Sequence, residues 1–154
     1  MSRRDEIRMS EAELHAFLGE QRTVVAGTNG RDGFPHLMPL WYVVRAGRLW
    51  AWTYAKSQKA KNLERDPRAT LLVEAGETYD QLRGAMLRTE AVLHRDPEVV
   101  EEFAMELVAR YAGPDADVEG MRDGFRRQVP KRVAMEFAER DRVTWDHRKL
   151  GGSY

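Results

Sequence analysis

The sequence predicts a small, mostly antiparallel β-barrel with helices inserted between its strands. Three observations carry that expectation. Tight-turn signals, Asn29-Gly30 with Asp32-Gly33 and then Arg45-Ala-Gly47, separate β-branched and aromatic stretches in the manner of a meander. Some six or seven strand-like stretches are spread over the 154 residues. The helical stretches are inserted at intervals and do not alternate with the strands, which argues against a parallel doubly wound sheet.

Taken in order, Ser10-Glu-Ala-Glu13 fits a capping box, and Leu14, Phe17 and Leu18 then share one helical face. Residues 23–28 turn to small and β-branched types, residues 34–44 carry one or two strands, and residues 49–53 return as another. Residues 56–65 read as a short helix stopped at Asp66-Pro67, because the residue before proline leaves the α region. Residues 69–74 and 82–94 hold two further strands. Asp96-Pro97 starts a helix whose apolar stripe is Val99, Val100, Phe103, Leu107, Val108 and Tyr111, and Gly113-Pro114 ends it. On that helix Glu98, Glu101, Glu102 and Glu106 read as a solvated face. Residues 118–128 are a further helical candidate. Val133, Met135 and Phe137 alternate with Arg132, Ala134 and Glu136 as a half-buried strand, and Thr144-Trp145 ends the last one.

The length and the 42% hydrophobic content fit one globular domain, 1–154, with residues 1–9 a flexible N-terminus and 151–154 a tail. Lys plus Arg and Asp plus Glu are 25 each, which removes the basic surplus of a nucleic-acid binder. Cysteine is absent, so thiol chemistry and Cys-ligated metals are excluded. The four histidines, His15, His36, His94 and His147, have no metal-ligand spacing, and no metal site is expected; haem on a lone histidine stays open. No apolar run approaches the roughly 18 residues of a membrane span, and the N-terminus lacks a signal-peptide pattern. A cytoplasmic protein is expected.

The informative segment is Thr53-Tyr-Ala-Lys56-Ser57-Gln58-Lys59-Ala60-Lys61-Asn62-Leu63. A strand ends there, and a hydroxyl residue followed by lysines opens a helix. Free amides at a helix N-terminus, with a hydroxyl and an ammonium, form an anion cradle. At most two of Lys56, Lys59 and Lys61 reach one ligand, since they span different helical faces. The segment also reads as a solvated helix with surface lysines.

This segment, with Asn62-Leu-Glu-Arg-Asp-Pro67, resembles the cofactor-phosphate segment of the pyridoxamine 5'-phosphate oxidase-like flavin and deazaflavin split-barrel superfamily. Gly33-Phe-Pro-His36-Leu-Met-Pro39-Leu-Trp41-Tyr42 is similar to its second and third strands, and Arg83-Gly-Ala-Met-Leu-Arg88-Thr-Glu90-Ala to a later one. Trp145-Asp-His-Arg-Lys-Leu150 resembles the tail of actinobacterial members. The resemblance implies a mostly β, α+β antiparallel split barrel and a homodimer with cofactor sites at the interface. It implies that Ser57 and Lys59, assisted by Gln58 or Lys61, hold the cofactor phosphate. It places His36, Leu37, Met38, Pro39 and Trp41 along the ring, and Trp145 capping it or closing the barrel. Flavin-using relatives read Ser-Arg-Lys where this chain has Ser57-Gln58-Lys59, and often a glutamine near Met86. The Ser-Gln-Lys-Ala form is similar to users of coenzyme F420. The resemblance therefore implies an F420H2-dependent reductase acting on a small organic acceptor. FMN is the alternative cofactor, and a non-catalytic F420, flavin or haem carrier the alternative role. No catalytic residue stands out. His36 and Tyr79 are the candidates for protonating the acceptor, with Tyr79 and Asp80 possible pocket or turn residues. Arg88 and Glu90 share a face and read as an ion pair.

Overall fold

The computed structural model describes residues 2–151. In chain order its elements are α1 (Arg3–Glu6), α2 (Glu11–Glu20), β1 (Val24–Asn29), β2 (Pro35–Leu40), β3 (Val43–Arg45), β4 (Arg48–Tyr54), α3 (Gln58–Arg65), β5 (Arg68–Ala75), β6 (Arg83–His94), α4 (Pro97–Tyr111), α5 (Arg122–Arg126) and β7 (Arg132–Asp146). Short 3-10 turns lie at Tyr79–Gln81, Val129–Lys131 and His147–Leu150. The seven strands form one sheet in the order β2-β1-β5-β6-β7-β4-β3, and every pairing is antiparallel. This is the curled sheet with flanking helices that the sequence predicts.

Local chemistry explains the helix starts. The Ser10 amide donates to Glu13 Oε2 at 2.6 Å while the Glu13 amide donates back to Ser10 Oγ at 3.2 Å, so two orphan donors are satisfied reciprocally. Asp96 caps α4 by accepting from the amides of Glu98 and Val99, with Pro97 at the first helical position.

Two cores result from strand alternation. Leu49 and Ala51 of β4 face the inside of the curl with Val24, Ala26, Leu71, Val73, Leu87 and Met135. Trp50, on the opposite face of the same strand, packs under α4 with Val100, Phe103 and Leu107. Period-two alternation thus gives one strand two buried faces, because α4 covers the face that would otherwise meet water. α3 lies against β1, β4 and β6 and closes one end of the curl.

The stretch 34–44, expected as one or two strands, is two, broken at Trp41-Tyr42, with Tyr42 fully buried and its hydroxyl donating to Leu18 O at 2.6 Å. Other expectations change. The last strand is one continuous β7 that takes in both expected pieces, with an irregularity opposite Arg88 and Thr89. Within residues 118–128 only α5 is helical. The N-terminus, expected to be flexible, is tied to the sheet: Met9 is buried, its amide donates to Thr144 Oγ1 at 3.0 Å, and Ile7 O accepts from the Asp146 amide at 2.7 Å. Of the expected tail, Gly151 is described and 152–154 lie outside the described residues. The acidic face of α4 is largely paired: Glu101 with Arg122 and Arg126, and Glu102 and Glu106 with Arg45. Arg88 pairs with Asp141, and Glu90 with Arg140, in place of each other, because β7 lies alongside β6 and supplies nearer partners.

Candidate functional site

The junction of β4 and α3 gathers the predicted phosphate residues. Ser57 is the N-cap of α3, and its hydroxyl accepts from the Ala60 amide at 3.3 Å. Thr53, the last inward residue of β4, donates to Ser57 Oγ at 3.1 Å and accepts from Lys59 Nζ at 3.1 Å. Lys59 is 9% exposed. Lysines are almost never this buried without a counter-charge, yet no carboxylate pairs with Lys59 among the described residues. Burial, and then the nearby Arg132, push its ammonium below the usual lysine range.

Arg132 opens β7 directly opposite Tyr54. Its guanidinium lies 3.6 Å from the Tyr54 ring centroid and 4.5 Å from that of Trp52, and Nη2 donates to Gln128 Oε1 at 3.0 Å. Its Nε is buried with no hydrogen-bond partner, and burial pushes the group down from the usual arginine range. Two cations without an acid, next to the free amides of a helix N-terminus, form a region of positive potential suited to an anion. Lys56 and Lys61 are exposed, so Lys59 is the one buried lysine of the three.

One helical turn along, Gln58 Nε2 donates to Asn62 Oδ1 at 2.9 Å, and Asn62 Nδ2 donates to Thr28 Oγ1 at 3.0 Å. Gln58 and Asn62 line a cleft of about 490 Å³ with His36, Pro35, Phe34 and Arg31. His36 Nδ1 is buried and has no partner. Of the predicted phosphate residues, Gln58 shares this cleft with His36, while Ser57 and Lys59 meet at Thr53. Leu37 and Met38 continue along edge strand β2, 62% and 41% exposed, with Pro39 also exposed. Trp41, 58% exposed, follows β2 and stacks on Tyr111 with ring centroids 4.5 Å apart.

The remaining candidates sit elsewhere. Trp145 lies toward the far end of β7 from Arg132, opposite Gly84. Its ring covers that glycine so closely that a Cβ there would come within 2.1 Å of Cζ2. Trp145 lines a separate cleft of about 460 Å³ with Arg4, Arg8, Val143 and His147. Tyr79 packs its ring on His147 at 4.4 Å, beside that second cleft, and Asp80 accepts from Thr78 Oγ1 within its own turn. Sequence reasoning gave no role to Asn62 or Arg132. Asn62 entered only as one residue of the stretch that resembles the cofactor-phosphate segment, and Arg132 only by its alternation as an outward strand residue.

The family model described as pyridoxamine 5'-phosphate oxidase matches residues 10–140. Among curated proteins none matches the chain. Among solved structures, a conserved hypothetical protein of Mycobacterium tuberculosis is 41% identical, with 100% of this chain and 95% of that one covered and a TM-score of 0.90. An F420 reductase is 19% identical, covering 83% of this chain and 94% of its own, with a TM-score of 0.64. The haem storage protein of Vibrio cholerae is 17% identical, covering 87% and 94%, with a TM-score of 0.68.

Proposed function

The chain belongs to the pyridoxamine 5'-phosphate oxidase family, and from that premise we propose that it is an F420H2-dependent reductase. The single observation that carries the cofactor site is Lys59: a buried ammonium at the α3 N-terminus, held by Thr53 and lacking a carboxylate. An anion there would supply the missing counter-charge. Ser57, Lys59 and the first amides of α3 would hold the cofactor phosphate. Neutral Gln58 suits a singly charged phosphodiester better than the dianionic monoester of FMN, which favours compact positive charge. The fold likeness to an F420 reductase is consistent with this choice.

The bound deazaflavin would supply a hydride to a small organic acceptor. The chain's own work is to bind, orient and exclude water. Edge strand β2, with His36, Leu37, Met38 and Pro39, would run along the ring, and proline suits it because an edge position needs no amide donor. His36, with its unpartnered Nδ1, is better placed than Tyr79 to deliver a proton near that strand, and solvent is the alternative source.

A homodimer completes the proposal. Pro39, Val25, Leu72, Met86 and Val143 are successive cross-strand partners over five strands. Their side chains therefore form one apolar row on the outer sheet face. Val143 is 52% exposed, and Trp145 lies two residues beyond it on the same face. A second copy covering this row would bury it and bring its own Trp145 into reach of the cofactor. Light scattering tests this; a monomer at micromolar concentration overturns it.

Titration of the purified protein with F420 and with FMN, followed by fluorescence, tests the cofactor. We expect tighter binding of F420, and colourless protein from a host lacking it. Yellow protein with stoichiometric FMN would select the flavin reading. Tight F420 binding without turnover on any acceptor would make the protein a carrier, a role known by name for its haem-storing structural neighbour.

A further inference from the structure

The register that pairs Val24 of β1 with Leu40 of β2 would, two residues on, set Arg22 against Tyr42. In that place the hydroxyl of Tyr111, the last residue of α4, stands between the two backbones. Tyr111 Oη accepts from the Tyr42 amide at 3.0 Å and donates to the Arg22 carbonyl at 2.7 Å. A hydroxyl has one proton to give. The Tyr42 carbonyl, 2.9 Å from the same oxygen, is therefore left to Arg110 Nη1, which donates to it. A side chain from a helix thus supplies the next rung of the β1–β2 ladder. The ring that carries this hydroxyl is fixed as well. It stacks on Trp41 at 4.5 Å with the planes 11° apart, and the Arg22 guanidinium lies 5.2 Å from its centroid.

β2 is an edge strand with β1 as its one strand neighbour. A strand laddered on one side alone depends on its ends for its path. At its entry the Gly30 amide donates to Phe34 O at 3.0 Å and closes a tight turn. At its exit stand Tyr42, with 0% exposure, and the Tyr111 rung. We propose that Tyr111 is a positioning residue whose hydroxyl fixes the exit of β2 and, through that strand, the orientation of the cofactor ring. The inference rests on the proposed cofactor reading, in which β2 runs along the ring, and goes beyond it by giving the end of α4 a part in the site. The phosphate is held from α3, which meets β2 at its entry, where Pro35 and His36 share a cleft with Gln58. Phosphate affinity and ring orientation are therefore separable. Orientation matters because a misplacement of about 1 Å can slow transfer by about a hundredfold.

The test is Tyr111→Phe, which deletes the hydroxyl and keeps the ring on Trp41. Two readouts are taken on bound F420: affinity by fluorescence titration, and circular dichroism of its visible band, which reports how the site orients the ring. Affinity should stay within about twofold of the wild type, while the dichroism weakens or shifts. Val100→Ala is the comparator, since Val100 is buried under α4 away from the β1–β2 rung. It should lower the melting temperature and leave the dichroism at its wild-type value. Wild-type dichroism in Tyr111→Phe overturns the positioning role. So does an equal change in Val100→Ala, which would mark general loosening, and so does a bound wild-type ring with no dichroism. An affinity loss of about tenfold or more in Tyr111→Phe also overturns it, because the rung would then support the phosphate cradle. Wild-type protein that binds neither F420 nor FMN overturns the proposed function and this inference with it. Wild-type protein that binds F420 with a dichroic band that Tyr111→Phe leaves intact overturns this inference alone.

Discussion

Arg110 and Arg132 are both partly buried, both lie over aromatic rings, and both lack a carboxylate partner among the described residues. Their surroundings differ in one respect. Arg110, near the end of α4, donates to the carbonyls of Leu18, Gly19 and Gln21 where α2 ends, and to Tyr42 O. Those carbonyls are the orphan acceptors of a helix C-terminus, whose partial negative charge also favours a cation. Arg132 has Gln128 for one nitrogen and nothing for its Nε, and it faces a second cation, Lys59, at a helix N-terminus of positive sign. One region is electrically complete and holds the molecule together. The other is electrically incomplete and reads as a place for something that the chain does not supply.

That contrast is breakable. The largest effect is expected at the complete end: Arg110→Ala strands several helix-end carbonyls and should lower stability by about 2–3 kcal/mol, seen as a lower denaturation midpoint, while cofactor affinity per folded molecule stays unchanged. A reduced affinity without lost stability would invert the comparison. At the incomplete end, Lys59→Met should weaken F420 about ten- to a hundredfold, by loss of a charge-assisted phosphate contact. The same variant should not lower the melting temperature of the unliganded protein, because it removes a buried charge with no counter-charge.

The third prediction sharpens the second through pH. Burial lowers the Lys59 pKa in the folded protein, so raising the pH deprotonates folded Lys59 before the unfolded chain's lysine at its ordinary 10.5. The unfolded state then binds more protons, and this group's contribution to unliganded stability rises with pH across that window. Phosphate affinity moves the other way and falls as Lys59 loses its charge. Both slopes should vanish in Lys59→Met, and a wild-type affinity that stays flat through the ordinary lysine pKa of 10.5 would sink the role of Lys59. The smallest effect belongs to Arg88→Ala: its pair with Asp141 is exposed on both sides, and exposed pairs add little. Its melting temperature should match the wild type.

The two regions were unequally legible beforehand. Ser57, Lys59 and the helix that they open could be picked out because a cap, a cation and a strand end are local in sequence. Arg132 could not, since its meaning depends on β7 pairing with β4 so that it stands against Tyr54. Asn62 read as one more polar helix residue until β1 supplied Thr28. The partner of Arg88 was misassigned to Glu90, two residues along its own strand, because only the β6–β7 register brings Asp141 alongside.

By itself, then, the sequence determined the order of the main strands and helices, the capping box at Ser10, the N-cap at Asp96, the buried alternation of Val133, Met135 and Phe137 and the phosphate-like segment. All of these follow from interactions spanning a few residues, where periodicity and capping chemistry act directly. Only the tertiary structure decided which charges are matched, which way the Gln58 amide points, and that Pro39, Val25, Leu72, Met86 and Val143 form one row. Those depend on strand register and on the curl of the sheet, which sum contacts between residues far apart in the chain. Charge and hydrogen-bond direction are set by the nearest partner in space, and no local pattern encodes who that partner is.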